Sequence, residues 1–439
     1  MRLPKVLILG QPFNDFTGGG ITLSNLFFGW DKQQLAVACV GHLMRSVDTT
    51  ICDNYYQLGK KEHKWIFPFN FIQRKFSSGP LQFESNKAPQ QRLPGNEVRS
   101  GLVDRFFYPF LKQVGLFHRM SVIKPSKEFF QWVDDFKPDI LYVQVSTRKD
   151  FSFTQSIYSY LKIPLVIHVM DDWPSTISNT GILKKYWFRK IDTEFRALLD
   201  RASLLMSISD QMSEEYEQRY HKKFISFHNP VDIDRWKPFQ KNDVKLNGVP
   251  SFLYAGRIGI GIDSSLMSIA RAIQSLSGEL RMELKFILQT KEKAAWFDDF
   301  SCVDHRSYQP YAEVPRSLSQ SDFLVLPYDF SEEATQYIKF SMPTKVSEYM
   351  ISGVPILIFA PENTALVRFA KKMNIAIIVT DNNITSLCNT IKESIQNENT
   401  RMAFSRNAIQ VAEEKFDSQK IRMNFKNAIN ALLLKKVYL

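Results

Sequence analysis

Along nearly the whole chain, short β-rich apolar runs alternate with stretches of helical spacing, and that alternation constrains the fold most: it gives parallel sheets flanked by helices. In the first half the runs fall at residues 5–10, 35–41, 139–145, 164–170, 203–209 and 224–229, and in the second at 252–256, 283–289, 322–327, 355–360 and 375–380. A chain of 439 residues with 44% hydrophobic content exceeds one ordinary core, and domains of roughly 100 to 200 residues make two the natural count. The expected fold is α/β, two doubly wound Rossmann-like domains at 1–230 and 250–417 facing across a cleft. Pro, Asn and Gly interrupt any pattern between them, from His228-Asn229-Pro230-Val231-Asp232 to Pro250. After a breaker at Phe416-Asp417, a helix within 418–439 is expected to cross back onto the first domain.

No apolar run approaches the roughly 20 residues of a spanning helix; the best, 349–360, is broken by Ser352, Gly353 and Pro355. Met1-Arg2-Leu3-Pro4 leads into the first run without a signal-peptide layout, so a cytoplasmic protein is expected. Cys39, Cys52, Cys302 and Cys388 are too scattered for a disulfide framework or a zinc motif. A formal net charge of +11 calls for an anionic partner, either phosphate-bearing substrate or acidic lipid. No zinc finger, ribonucleoprotein motif or basic heptad region supports nucleic acid.

Ligands of open parallel sheets sit beyond the carboxyl ends of the strands, so the loops there are where chemistry is sought. After the first run comes Thr17-Gly18-Gly19-Gly20-Ile21-Thr22, leading into a helical pattern at 23–30. Three glycines let backbone N–H groups approach an anion at a helix start; the plainer alternative is a flexible turn. His168 ends the run at 164–170, followed by Asp171, Asp172 and Trp173: an imidazole and carboxylates for hydroxyl groups, and an indole face for a sugar. A packed histidine before a solvated acidic turn is the alternative. Arg257, at the end of Tyr254-Ala255-Gly256-Arg257, can grip a diphosphate bidentately, unless it is simply a surface arginine. In Pro343-Thr344-Lys345-Val346-Ser347-Glu348-Tyr349-Met350, Pro343 suits a helix's first turn, and Glu348, about a turn in, can accept hydrogen bonds from vicinal hydroxyls; a glutamate on a solvated face is the alternative.

The ordered set Gly18-Gly19-Gly20, His168, Arg257 and Pro343-Thr344-Lys345-x-x-Glu348-Tyr349-Met350-x-x-Gly353-x-Pro355 resembles the large retaining GT-B glycosyltransferase family over nearly the whole chain. Asn229-Pro230-Val231-Asp232 and Ser321-Asp322-Phe323-Leu324-Val325-Leu326-Pro327 match it too. The resemblance implies a hexosyltransferase-like, retaining enzyme with a nucleotide-sugar as co-substrate; no cofactor is expected, and no metal, since no Asp-x-Asp pair sits at a strand end. It implies Gly18, Gly19, Gly20, Arg257, Thr344, Lys345 and Glu348 at the donor, Glu348 on the ribose and Arg257 on the diphosphate. His168 is implied at the reacting sugar, with Asp171 orienting it or the acceptor. Two positions depart from the pattern. Phe340 stands where a first glutamate is common, leaving Glu332 or Glu333 as substitutes, and Asp263 replaces a lysine whose charge Lys345 or Lys339 could restore.

Basic and aromatic residues interleave between Lys60 and Lys127 (Lys60, Lys61, Lys64, Trp65, Phe67, Phe69, Arg74, Lys75, Arg92, Arg99, Arg105, Phe106, Phe107, Tyr108, Phe110, Lys112) and again in Lys184-Lys185-Tyr186-Trp187-Phe188-Arg189-Lys190. This pattern suits the anionic inner face of the plasma membrane beside a glycan or lipid-linked acceptor; rings buried in a core are the alternative. Three rivals remain: a nucleotide-sugar epimerase of the same fold, a non-catalytic sugar-binding relative, and a nicotinamide enzyme, the last disfavoured by the wrong spacing of Gly256-x-x-Gly259-x-Gly261.

Overall fold

The computed structural model describes residues 3–15, 17–44, 47–67, 69–71, 73, 75–83, 107–176, 181–259 and 261–435. Arg74, Arg92, Arg99, Arg105 and Phe106 of the basic stretch lie outside them. The chain divides into two compact units, Met1–His228 with Arg422–Leu439, and Asn229–Ile421.

The first unit holds β1 (Val6–Leu9), β2 (Leu35–Val40), β3 (Tyr55–Leu58), β4 (His63–Trp65), β5 (Gly79–Pro80), β6 (Ser121–Ile123), β7 (Ile140–Val143), β8 (Leu165–Val169), β9 (Leu204–Ser207) and β10 (Ile225–Ser226). Among the described residues an eight-stranded sheet runs β10-β9-β8-β7-β1-β2-β3-β5, with β4 and β6 in a separate antiparallel pair. Every pairing in the large sheet is parallel except β3 with β5. Central strands such as β1 and β7 are buried at every position, because helices cover both faces of a parallel sheet.

The second unit holds β11 (Ser251–Ala255), β12 (Lys285–Gln289), β13 (Val303–Arg306), β14 (Phe323–Pro327), β15 (Ile356–Phe359) and β16 (Ile377–Val379), ordered β13-β12-β11-β14-β15-β16 and all parallel. Its helix Asp263–Leu280 buries Leu266, Ile269, Ile273 and Leu276, the i, i+3, i+7, i+10 face that apolar spacing requires. Val231 hydrogen-bonds Phe416 and Ser418 through its backbone, tying the start of the unit to its end.

The last helix, Ser418–Lys435, starts in the second unit, and its residues from Arg422 belong to the first. There Phe425 is wholly buried, edge-on to Phe27 and Phe227 at 5.0 and 5.3 Å, while Arg422 Nε donates to the Asn25 carbonyl. Truncating such a ring to alanine costs about 3–5 kcal/mol. No helix among the described residues is long and apolar enough to cross a membrane.

Candidate active site

In the second unit, polar groups gather beyond the carboxyl end of β11. The Ala255 N–H donates to the Tyr349 hydroxyl at 3.1 Å, and its carbonyl accepts from Lys345 Nζ at 2.8 Å. Lys345 Nζ also sits 4.2 Å from the centroid of the Tyr254 ring, a cation–π contact. A Cβ at Gly256 would lie 2.3 Å from Lys345 Nζ and 2.8 Å from the Tyr254 hydroxyl, so glycine is what lets the lysine reach the strand end. Burial, followed by the neighbouring charge of Arg257, pushes the Lys345 ammonium down to about 7. Arg257 itself is exposed, and its carbonyl accepts from the Tyr254 hydroxyl.

Pro343 and Thr344 precede the helix rather than open it. The helix is the single short turn pair Val346–Ile351, with Glu348 in its first turn. Glu348 Oε1 accepts from the Tyr311 hydroxyl at 3.0 Å; Arg235 stacks on the Tyr311 ring at 4.2 Å and donates to the Tyr311 carbonyl at 2.7 Å. Burial raises the Glu348 carboxyl, opposed by the Tyr311 hydrogen bond and by Lys345 and Arg235. The Thr344 carbonyl accepts from Asn229 Nδ2. Tyr311 and Arg235 were missed by motif reasoning, and Tyr254 was seen only as part of the strand before Arg257; the Tyr308-Gln309-Pro310-Tyr311 stretch follows β13, and recognising that strand would have pointed to Tyr311.

At the departures from the family pattern, Asp263 opens the helix after the glycine turn and its Oδ1 accepts from Gly259 N at 2.7 Å. Gly259 and Gly261 have φ of +114° and +85°, backbone that side chains rarely adopt. Phe340 is buried, with Lys339 Nζ 4.9 Å from its ring centroid, while Glu332 and Glu333 lie exposed in the first turn of the helix Glu332–Ile338.

In the first unit the three glycines are not a loop. They form the first turn of the helix Gly18–Phe27, capped by Thr17, whose hydroxyl accepts from Gly20 N. None of them has a positive φ; the close approach of Asn14 is what Gly20 accommodates, since a Cβ there would lie 2.3 Å from the amide nitrogen. A Cβ at Gly19 would meet Gln144 Oε1 at 3.1 Å. Both polar atoms of the Gln144 amide and Gln11 Oε1 are buried without a hydrogen bond of ordinary geometry. Beside them, a cavity of about 140 Å³ at the carboxyl ends of β1, β2 and β7 is lined by Gln11, His42, Lys149, Asp150 and Thr154 among apolar side chains.

His168 and its neighbours require correction. The ring is wholly buried rather than presented to a reacting group, with Nδ1 2.5 Å from the Tyr142 hydroxyl. Burial lowers it to about 4, so it is neutral near pH 7. Burial also opposes ionisation of Tyr142, so the hydrogen bond joins two neutral groups, and the ring tautomer decides which of them donates. Trp173 offers no sugar-stacking face: it is 6% exposed and packs against Phe151 and Phe195. Asp172 is also buried, holding Arg219 through both oxygens at 2.8 and 3.2 Å and the Tyr216 hydroxyl at 2.9 Å. Asp171 stays half-buried in the turn between β8 and the helix Trp173–Thr176.

No family model matches the chain. No curated protein matches it either. Solved structures do. Sucrose-phosphate synthase from Thermosynechococcus elongatus superimposes with a TM-score of 0.61 at 10% identity, covering 98% of this chain and 99% of that one. Anabaena HepE in complex with UDP-glucose gives 0.56 at 14% identity, with 98% and 100% covered. WaaG, a glycosyltransferase involved in lipopolysaccharide biosynthesis, gives 0.57 at 14% identity, with 97% and 99% covered. The chain has the GT-B fold of these glycosyltransferases.

Proposed function

We propose that this chain is a retaining glycosyltransferase that moves a sugar from a nucleotide-diphosphate sugar onto a glycan or lipid-linked acceptor, in the synthesis of cell-surface polysaccharide or glycolipid. The proposal places it in the cytoplasm, against the inner face of the plasma membrane. The observation that carries it is the convergence of Arg257, Lys345 and Glu348 at one strand end, two cations beside one carboxylate held by a tyrosine. The cations suit a diphosphate, and Glu348 suits the ribose hydroxyls. HepE, a neighbour of the same fold, was solved with UDP-glucose.

In this reading Arg257 and Lys345 stabilise the diphosphate as its charge grows on cleavage of the sugar bond, as preorganised cations do at a developing anion. The departing diphosphate, on the face the acceptor enters, takes the acceptor's proton, so no protein base is obligatory. Thr344 stands beside the donor. Gly18, Gly19 and Gly20 keep the donor-binding role that the resemblance implies, as the first turn of a helix whose N–H groups suit an anion. His168 and Asp171 keep the roles that the resemblance implies, at the reacting sugar and in orienting it or the acceptor. The first-unit cavity holds the acceptor end. No metal is required.

A thermal-shift screen against UDP-, GDP-, ADP- and dTDP-sugars tests the donor, since a ligand at about 100 times its dissociation constant adds roughly 2.7 kcal/mol. Release of nucleoside diphosphate that depends on an acceptor and persists with a chelator is the expected result. Donor turnover without acceptor would identify an epimerase, and binding without release a sugar-binding relative; either overturns the transferase reading.

A further inference from the structure

The basic and aromatic segments of the first unit come together on one surface. The Ile66 N–H donates to the Met120 carbonyl, Phe69 packs on Phe107, and the Ile182 N–H donates to the Gln113 carbonyl. Trp187, a buried anchor rather than a surface ring, donates Nε1 to the Gly115 carbonyl at 2.7 Å. What this framework leaves outside is apolar: Phe67, Phe71, Phe110 and Ile182 are 77%, 74%, 61% and 78% exposed. Single exposed apolar side chains are ordinary, whereas a group this exposed on packed neighbouring segments marks an interaction surface.

Charge identifies the partner. Lys64, Lys112, Lys184 and Lys185 stand exposed on the same segments. Across residues 59–71, 107–119 and 181–191 the sole carboxylate is Glu62, and it is buried, accepting from Tyr56 and Ser126. These described segments are therefore apolar and cationic, with acids only at their border, where Glu128 pairs with Lys61 and Glu194 with Lys190. A second copy docked through this face would set cations against cations. Nucleic acid would use the rings for stacking but gains nothing from Ile182 and its exposed neighbour Leu183. An anionic bilayer satisfies both halves, taking apolar side chains below the headgroups and lysines among them.

We propose that this face docks the chain on an anionic lipid bilayer, with Phe67, Phe71, Phe110 and Ile182 inserting and Lys64, Lys112, Lys184 and Lys185 pairing with phosphates. The inference gives a specific surface to the membrane contact proposed above, yet stands on the face alone and requires neither donor nor turnover.

The test is co-sedimentation of the full chain with vesicles of phosphatidylcholine alone or with added phosphatidylglycerol, at about 0.1 M salt and at several times that. The intact chain should sediment with the anionic vesicles and much less with the neutral ones. Lys184→Glu with Lys185→Glu should weaken partition roughly 25-fold or more at the lower salt, about fivefold per cation lost. Phe67→Ser, Phe71→Ser and Ile182→Ser combined should weaken it roughly 100-fold at both. All five positions are exposed, so melting temperature and any nucleotide-sugar thermal shift should stay at their parent values. The proposal fails if the intact chain remains in the supernatant, or if both variants sediment like the parent. It also fails if the apolar variant only converts a dimer to a monomer, or only loses binding to a single-stranded oligonucleotide. A chain that binds anionic vesicles through this face but shows no nucleotide-sugar shift would refute the enzyme reading and leave this one standing.

Discussion

Replacing Lys345 with methionine probes the donor site through protons as well as through affinity. In the free protein the ammonium titrates at about 7, lowered by burial and by Arg257. A diphosphate brought against it reverses the balance, since two unit charges about 4 Å apart at an effective dielectric constant near 20 attract by about 4 kcal/mol, worth roughly 3 pKa units. The lysine is then protonated in the complex up to about pH 10. Between pH 7 and 10 binding therefore takes up a proton: about 0.9 per donor at pH 8, against about 0.25 at pH 6.5, and affinity falls about eightfold between those values. A nucleotide-sugar is the right ligand, because its diphosphate diester does not titrate in this range. Calorimetry in two buffers of different ionisation enthalpy reads the uptake directly. Lys345→Met should abolish it, weaken binding by roughly several hundredfold at pH 6.5 and still by about tenfold at pH 9, and approach the parent only at about pH 10 and above. Stability should move oppositely. The folded pKa lies below the unfolded value near 10.5, so the unfolded chain binds more protons from pH 7 to 10.5 and the parent gains stability as pH rises through that window. Below pH 7 the methionine variant should be the more stable, by on the order of 2 kcal/mol after allowance for partial solvent access. No uptake at pH 8 in the parent, or undiminished uptake in the variant, would refute the assignment.

Glu348→Ala should raise the donor Michaelis constant about tenfold or more, from the loss of one or two charge-assisted hydrogen bonds; steady-state kinetics with unchanged donor dependence would remove Glu348 from the ribose. Arg257→Lys should remain poor, because a point charge cannot reproduce the guanidinium fork, and full turnover would return Arg257 to the surface. For His168→Ala, thermal melting should show a loss of about 2–4 kcal/mol from the cavity and the unpaired Tyr142 hydroxyl. Turnover measured well below the transition should still fall about 100-fold with diphosphate binding kept; a rate loss that simply tracks the melting curve makes the residue packing alone. The parent should also lose stability as pH falls from 6.5 toward 4, where the unfolded imidazole takes a proton the folded one refuses.

Central strands were legible because burial on both faces makes them continuous apolar runs, and the run at 322–327 maps onto β14 within a residue. Among the edge strands, β10 and β16 fall within the runs at 224–229 and 375–380, whereas β5 and β13 were not seen. β13 reads Val303-Asp304-His305-Arg306, a single apolar residue among polar ones, which an edge of the sheet tolerates and a centre does not. The same two-faced burial misled the reading of His168. A strand end in a parallel sheet does not say which side a ring takes, and this one turned toward Tyr142 on the neighbouring strand. Trp173 looked like a sugar platform beside acids, but Phe151, 22 positions earlier, and Phe195, 22 later, enclose it. Arg257, Lys345 and Glu348 could be found because their strand-end and helix-start contexts are local. Tyr311 and Arg235 reach Glu348 only through the fold.

The two departures at the donor site have a common physical account. A lysine at position 263 would compete with the folding of the turn before it, because here that position supplies the carboxylate that accepts from Gly259 N where the backbone has φ of +114°. The acid that shapes the turn thus takes the place of a diphosphate cation. Lys345 stands close enough to compensate: it enters from another element, crosses Tyr254 and ends on the Ala255 carbonyl next to Arg257. It can do so only because residue 256 is glycine. Moving the cation from an open helix start to a half-buried strand end changes its chemistry, since an exposed lysine is charged at every physiological pH whereas a buried one near pH 7 is charged chiefly when an anion arrives. In the proposed enzyme, the second cation of the diphosphate site is therefore partly neutral when empty and becomes fully charged on binding donor.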